Sequence, residues 1–329
     1  MRRKFLLTVI LVALCLTSLA VTLSSGQAQF APPGFEAPGR PTNTSITPPN
    51  SSLEEAIPRT CALQPDPRQT NPPAWVLQQR RAISLVPGAA TLSRFRQLPA
   101  SDTAPGAQSS TVLTATATGF TPREEVALID PTNYGDRFLQ DLNGNPALLE
   151  PLVVLHETVG SASSALNLFR TPHPRDADQA SYHTLIALDG TIIYLVPPDK
   201  RAFGAGNSAF VGLNGVESIQ TNPKLAGSVN NFAYHVSLET PPSGNNNARR
   251  HTGYTPAQYQ SLAWLVAKTG VPDARITTHQ AVDRSGQRLD PRSFDIAGFM
   301  NLLQQYPRTS EISIQCLPPS EALSAGQQG

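Results

Sequence analysis

The chain has 329 residues with 25 basic and 24 acidic side chains, so its formal net charge is +1. A charge so close to zero gives no electrostatic reason to expect binding to nucleic acid or to an anionic membrane. The 31 prolines are concentrated in the N-terminal third and at the extreme C-terminus, which favours one main domain with appended segments.

The N-terminus has the pattern of a secretory signal. Basic residues follow Met1, an apolar run extends from Phe5 to about Leu23, and small residues lead to Ala28. This order predicts a signal peptide at residues 1–28 and export to the periplasm or the extracellular cell wall. A retained membrane anchor is the alternative, because the apolar run is only slightly shorter than a bilayer span. After cleavage, no stable membrane span is expected.

Two appended segments follow the signal. Residues 29–71 are rich in Pro, Ser and Thr and have few core-forming side chains, so they are predicted to be a flexible linker. Residues 72–125 form an N-terminal extension of uncertain structure. Its run Thr111–Thr118 is β-prone, but prolines interrupt the surrounding sequence.

Removal of the signal would leave two cysteines, Cys61 and Cys316. Because disulfides persist outside the cytoplasm, a bridge between them could join the proline-rich arm to the tail at residues 308–329. Two unpaired thiols are the alternative, since the sequence does not supply the geometry.

Residues 126–307 alternate short apolar runs with helical patterns. Strands are predicted at Leu152–Leu155, at Tyr182–Ile186 and Thr191–Val196 as a hairpin, and at Tyr234–Leu238. Helices are predicted at Ser161–Arg170, at Pro256–Lys268 after the N-cap Thr255, and at Asp295–Gln305. This pattern predicts an α/β domain whose central mixed sheet is flanked by helices, because a hairpin is antiparallel.

Three side chains in this domain are suitable metal ligands. His156 follows the apolar strand, and His279 and Asp290 lie far downstream. Two imidazoles and a carboxylate leave one position of a tetrahedral zinc ion open for water. Zinc lowers the pKa of such a water toward neutrality. The trio is therefore typical of a hydrolytic site with one Zn²⁺ ion.

Six sequence blocks extend this interpretation. They are Leu155–Thr158, Ser181–Ile186 with Asp189–Thr191, Asp199–Phe203, Tyr254–Tyr259, His279 and Arg288–Pro291. In this order they resemble the N-acetylmuramoyl-L-alanine amidase type 2 family, which is related to peptidoglycan recognition proteins. The resemblance covers about residues 126–306. It implies a groove for cell-wall glycopeptide and zinc bound by His156, His279 and Asp290.

The activity that the resemblance implies is hydrolysis of the amide between muramic acid and L-alanine in peptidoglycan or muropeptides. Glu239 matches a glutamate that would activate the water, and strand alternation places it on the same face as His235. Tyr182 matches a tyrosine beside the metal, so either Glu239 or Tyr182 could assist the water. Arg288 stands where relatives commonly carry lysine and could stabilise the oxyanion.

His235, Phe203 and Asn207 are the expected substrate-binding residues. One departure affects them, because the family often has Ala-Trp-His-Ala-Gly where this chain has Ala202-Phe203-Gly204-Ala205-Gly206. A groove contact to sugar or peptide would thereby be lost. Two other functions remain open: a non-catalytic peptidoglycan-binding protein of the same fold, and zinc-dependent hydrolysis of a different amide.

Overall fold

The computed structural model describes residues 61–68, 72–85, 92–97, 119–213 and 215–316. These residues belong to one unit of the chain, Pro49–Gly329. The predicted signal peptide, most of the linker and the β-prone run Thr111–Thr118 lie outside the described residues. Within the described ranges, no helix combines the length and apolar character needed to cross a bilayer.

The described part of the chain contains ten strands and five α-helices. The strands are β1 (Glu124–Val126), β2 (Tyr134–Asp136), β3 (Leu152–Glu157), β4 (Thr184–Ile186), β5 (Ile192–Tyr194), β6 (Lys200–Ala202), β7 (Phe210–Gly212), β8 (Gly215–Glu217), β9 (Ala233–Leu238) and β10 (Ile276–Thr278). The helices are α1 (Ala74–Leu85), α2 (Ala162–Arg170), α3 (Pro256–Ala267), α4 (His279–Val282) and α5 (Ile296–Leu303).

Six of the strands form one mixed sheet in the order β1-β5-β4-β9-β3-β10. The β4–β5 pair is antiparallel, whereas the other neighbours are parallel. Every residue of the two central strands, β3 and β9, is buried, because both faces of the sheet are covered. The predicted α/β fold with a mixed central sheet is therefore confirmed.

The two faces of β3 have different neighbours. Val153 and Leu155 pack into the main core together with side chains of α3 and α5. Leu152 and Val154 point to the opposite face and belong to a second cluster. Since strand residues alternate between faces, His156 lies on the same face as Leu152 and Val154. The metal-ligand candidates therefore lie on the side of the sheet opposite α3 and α5.

The predicted helices begin where the sequence indicated. The side chains of Ser161, Thr255 and Asp295 accept backbone N–H groups at the first turns of α2, α3 and α5. Thr255 and Gln258 form a complete capping box, which satisfies N–H groups that a helix leaves without partners. The hairpin strands β4 and β5 are shorter than predicted.

The segment that precedes β1 is part of the same folded unit. Cys61 and Cys316 form the expected disulfide, with their Cα atoms 5.5 Å apart. Phe95 is 1% exposed within the main core, and Arg96 forms ion pairs with Glu124 and Glu311. Helix α1 was not predicted from the sequence.

Candidate metal centre and groove

Three side chains that are distant in sequence meet at the carboxyl end of β3. The strands β3 and β10 are parallel neighbours, with Leu155 opposite Thr278. The next residue on each strand is therefore a histidine, His156 on β3 and His279 at the first position of α4. Asp290 Oδ2 lies 3.3 Å from His156 Nδ1 and 3.0 Å from His279 Nδ1.

The chemistry and spacing of these donors fit zinc. One ligand atom from each of His156, His279 and Asp290 lies within 4.8 Å of the others. Ligand atoms at zinc bond lengths of about 2.0–2.2 Å would lie roughly 3.3 Å apart around a tetrahedral ion. A shift of less than about 2 Å would bring the set to that geometry. The cluster could therefore hold one metal ion.

The charges of two of these groups suit metal binding. Burial lowers the pKa of His156 to about 4, so its imidazole is neutral near pH 7 and can donate a lone pair. Burial alone would raise the pKa of Asp290, but hydrogen bonds to His156 and His279 hold that pKa well below its usual range. The carboxylate of Asp290 is thus ionised at every pH at which the imidazole of His156 is neutral.

The second nitrogen of His156 has a histidine partner. His156 Nε2 lies 2.9 Å from His235 Nδ1. The backbone N–H of His235 in turn donates to His183 Nδ1 at 2.9 Å. His235 Nε2 is buried and has no hydrogen-bond partner among the described residues. His156 is therefore oriented from both sides of its ring, by Asp290 and by His235.

His235 does not lie where the sequence placed it. It was expected to bind substrate, but it is fully buried behind His156 and does not line the groove. A Cβ at Gly204 would lie 2.6 Å from the His235 ring. The imidazole of His235 therefore fills the space beside Gly204, the position where relatives often carry histidine. This corrects the expected substrate contact of His235.

Tyr182 and Arg288 lie beside the cluster. The Tyr182 ring is 4.8 Å from that of His156, and burial, followed by the charge of Asp290, raises the pKa of its hydroxyl. Tyr182 therefore remains protonated near pH 7 and acts as a hydrogen-bond donor. Arg288 is exposed and lines the groove together with His279 and Asp290.

Backbone N–H groups hold both carboxylate oxygens of Glu239. Its Oε1 accepts the backbone N–H of Ala162 at 2.8 Å, and its Oε2 accepts that of Leu188 at 2.9 Å. Ala162 is the first residue of α2, whose N-terminus attracts a negative charge. Both oxygens already have partners, and Glu239 caps α2, while its role in activating water stays a prediction. The strand residue beside His156 is Ser237.

A buried charge pair that was not predicted from the sequence lies next to the ligands. Glu157 follows His156, Arg292 follows Asp290 by two residues, and Glu157 Oε1 lies 2.5 Å from Arg292 Nε. His251, Tyr254 and Thr240 also donate to Glu157 or lie within hydrogen-bond distance of it. No sequence spacing marks this pair, because its members are 135 residues apart.

A groove with a volume of about 840 Å³ opens beside the cluster. Two of the expected substrate-binding residues, Phe203 and Asn207, line it, as do Tyr182 and Arg288. Its volume lies within the range of roughly 300–1,000 Å³ that is typical of small-molecule sites. Two of the metal-ligand candidates, His279 and Asp290, line this groove, whereas His156 is buried.

Comparison with known proteins identifies the domain that carries this site. A family model described as N-acetylmuramoyl-L-alanine amidase matches residues 149–293. Residues 149–293 are therefore similar to the N-acetylmuramoyl-L-alanine amidase type 2 family. This match supports an amidase activity on peptidoglycan. No curated protein matches the chain.

Solved structures of other amidases resemble parts of the chain. A selenomethionine derivative of AmpD is 27% identical, covering 55% of this chain and 94% of AmpD, with a TM-score of 0.38. AmpD from Citrobacter freundii is 28% identical, covering 55% and 90%, with a TM-score of 0.34. AmpDH3 from Pseudomonas aeruginosa, solved with an anhydromuramic pentapeptide, is 18% identical, covering 49% and 57%, with a TM-score of 0.32.

The amidase match includes all three metal-ligand candidates but not the whole folded unit. Strand β1, the core residue Phe95 and helix α1 precede residue 149, and Cys316 follows residue 293. The amidase domain of this chain is therefore joined to additional N-terminal structure.

Proposed function

We propose that this protein is a zinc-dependent amidase that hydrolyses the bond between muramic acid and L-alanine in peptidoglycan or muropeptides. The observation that carries the proposal is the convergence of His156, His279 and Asp290 beside a groove that His279 and Asp290 line, within the region that matches the amidase family.

In the proposed site, the Nδ1 atoms of His156 and His279 and the carboxylate of Asp290 would hold zinc. Bound zinc would polarise the substrate carbonyl and lower the pKa of a water molecule. With Nδ1 of His156 directed to the metal, the ring proton of His156 would be on Nε2. His156 would then donate that proton to His235 Nδ1, a hydrogen bond that would fix the orientation of the ligand ring.

The groove supplies two donors for the charge that develops on the attacked carbonyl. Arg288 provides a permanently charged guanidinium at the opening of the site. Tyr182 provides a hydroxyl that stays protonated because its pKa is raised. Donors directed at the developing oxyanion lower the barrier more than they stabilise the ground state. Tyr182 is thus assigned a hydrogen-bonding role rather than that of a base.

Export is a further part of the proposal. The sequence pattern of residues 1–28 predicts a cleaved signal, and the disulfide between Cys61 and Cys316 suits an oxidising compartment. N-terminal sequencing of the protein from its native host should find a chain that begins at Gln29. A membrane-bound chain that begins at Met1 would instead support the retained anchor.

Mass spectrometry of muropeptides tests the proposed activity. Incubation with the zinc-loaded protein should release a stem peptide that begins with L-alanine, together with a peptide-free sugar. Treatment with a chelator should stop this release, and added zinc should restore it. Binding of muropeptides without any cleavage would favour the non-catalytic alternative. Cleavage at another bond would contradict the proposed substrate.

A further inference from the structure

Residues 61–68 and 72–85, called the N-terminal segment below, contribute to the lining of the groove. The groove-lining residues from this segment are Gln64, Pro65, Asp66, Pro72, Pro73, Val76 and Arg80. All of them precede residue 149, where the match to the amidase family begins. The same groove is lined at its metal end by His279, Arg288 and Asp290. A ligand whose amide lies at the metal end can therefore extend to this segment.

Specific contacts hold the segment against the domain. Arg80 donates to the backbone oxygen of Tyr134 at 3.0 Å and to Asp136 Oδ2 at 2.7 Å, and its guanidinium lies 5.3 Å from the centre of the Tyr134 ring. Arg81 pairs with Asp130 at 2.8 Å. These contacts fix the face of α1 that carries Val76, because residues 76 and 80 lie one turn apart.

The beginning of the N-terminal segment is also attached to the rest of the domain. Ala62 forms a parallel bridge with Phe138, and its backbone N–H donates to the oxygen of Arg137 at 2.8 Å. The adjacent Cys61 is linked to Cys316. A wall anchored at both ends can contribute binding energy without a large ordering cost when a ligand arrives.

We infer that residues 64–66 and 72–80 are part of the substrate-binding site and contact the stem peptide remote from the bond that is cut. Val76 is the specificity-determining contact, and Arg80 is a positioning residue. This inference rests on the proposed function, because it takes the substrate to be a muropeptide.

The chemistry of the wall favours peptide over sugar. Val76 and two prolines supply apolar surface for methyl groups, while Gln64 and Asp66 supply hydrogen-bonding groups for amides. Sugars commonly stack on aromatic rings, but the nearby Tyr134 and Phe138 rings are each covered by an arginine, at 5.3 and 5.1 Å. The distal end of the groove is thus suited to a short peptide.

Calorimetry with product peptides tests the inference without a requirement for catalysis. The probes are the free stem tetrapeptide, the free stem dipeptide and the peptide-free disaccharide, none of which contains the amide between muramic acid and alanine. The protein is the zinc-loaded full chain. Val76→Asp places a charge in the apolar wall and should weaken tetrapeptide binding about tenfold. Dipeptide and disaccharide binding should not change.

Two further variants make the comparison specific. Gln78→Asp adds the same charge to an exposed position of α1 that does not line the groove, and it should leave all three affinities unchanged. Val76→Ala, a milder change, should weaken tetrapeptide binding about threefold. Equal weakening of tetrapeptide and dipeptide, an effect confined to the disaccharide, or no effect at Val76 would each overturn the inference.

The outcomes also separate this inference from the proposed activity. If the unaltered protein binds the tetrapeptide but cleaves no muropeptide, only the proposed activity is contradicted. The affinities of the Val76 variants for the three probes still test the inference. If the unaltered protein binds none of the probes, the inference is overturned even if cleavage is observed.

Discussion

Glu157 and Arg292 form a buried ion pair that joins the two chain segments carrying His156 and Asp290. Glu157 Oε1 lies 2.5 Å from Arg292 Nε and also accepts the backbone N–H of Arg292 at 3.2 Å. The two side chains are 0% and 5% exposed. Because each partner is within two residues of a ligand, the pair sets the separation between the imidazole of His156 and the carboxylate of Asp290.

Glu157→Gln should therefore weaken zinc binding about 10- to 100-fold, the range typical of groups that support metal ligands. Removal of one charge from a buried pair should also lower the free energy of unfolding by about 3–5 kcal/mol. Competition with a chromophoric chelator measures the zinc affinity. Glu217→Gln, which breaks the partly buried pair with Arg275 elsewhere in the domain, is the control. Loss of stability with unchanged zinc affinity in Glu157→Gln would contradict this role.

Gly204→Ala should disturb the hydrogen bond between His156 and His235. The added Cβ would lie 2.6 Å from the His235 ring, so the imidazole must move away from His156 Nε2. We expect zinc affinity to fall at least tenfold. Gly206→Ala is a matched control, because a Cβ there meets nothing within 4 Å. Equal zinc affinities of the two variants would show that His235 does not support the ligand.

Glu239→Ala should reduce stability and leave catalysis intact. The variant loses two hydrogen bonds to backbone N–H groups, including the cap of α2, which corresponds to about 1–3 kcal/mol of unfolding free energy. Chemical denaturation measures this loss. The kcat for muropeptide cleavage should stay within about twofold of the unaltered protein. A drop of about 100-fold or more in kcat at full zinc occupancy would instead identify Glu239 as the catalytic base.

Arg288→Ala should lower kcat by about 100-fold, as expected for removal of one donor to an oxyanion. Arg288→Lys should recover part of the activity, because a cation remains at the same position. Arg284→Ala, at an exposed arginine that does not line the groove, should have no effect. Steady-state kinetics with a purified muropeptide gives the comparison. An unchanged kcat in Arg288→Ala would remove this residue from the reaction.

The fold and the metal-ligand candidates could be predicted from the sequence because both depend on local signals. The apolar run before His156 and the caps Ser161 and Thr255 indicate elements directly, and the order of the family blocks indicates the trio. Alternation along β9 predicts the face of Glu239, but it could not show that the N–H groups of Ala162 in α2 and of Leu188 bind its two oxygens.

Other features depend on contacts that leave no mark in the sequence. Glu157 and Arg292 are far apart along the chain, so neither predicts the other. Helix α1 lies among prolines, and the cap of α1 is not provided by a Ser, Thr, Asp or Asn side chain immediately before Ala74. Its position along the groove follows from the contacts of Arg80, which only the folded structure reveals.

The location of zinc tests the central claim most directly. In crystals of the zinc-loaded full chain, anomalous scattering should show one ion at the carboxyl end of β3. It should lie about 2.0–2.2 Å from Nδ1 of His156, Nδ1 of His279 and a carboxylate oxygen of Asp290. Zinc bound by other side chains, with these three atoms not contacting it, would contradict the account.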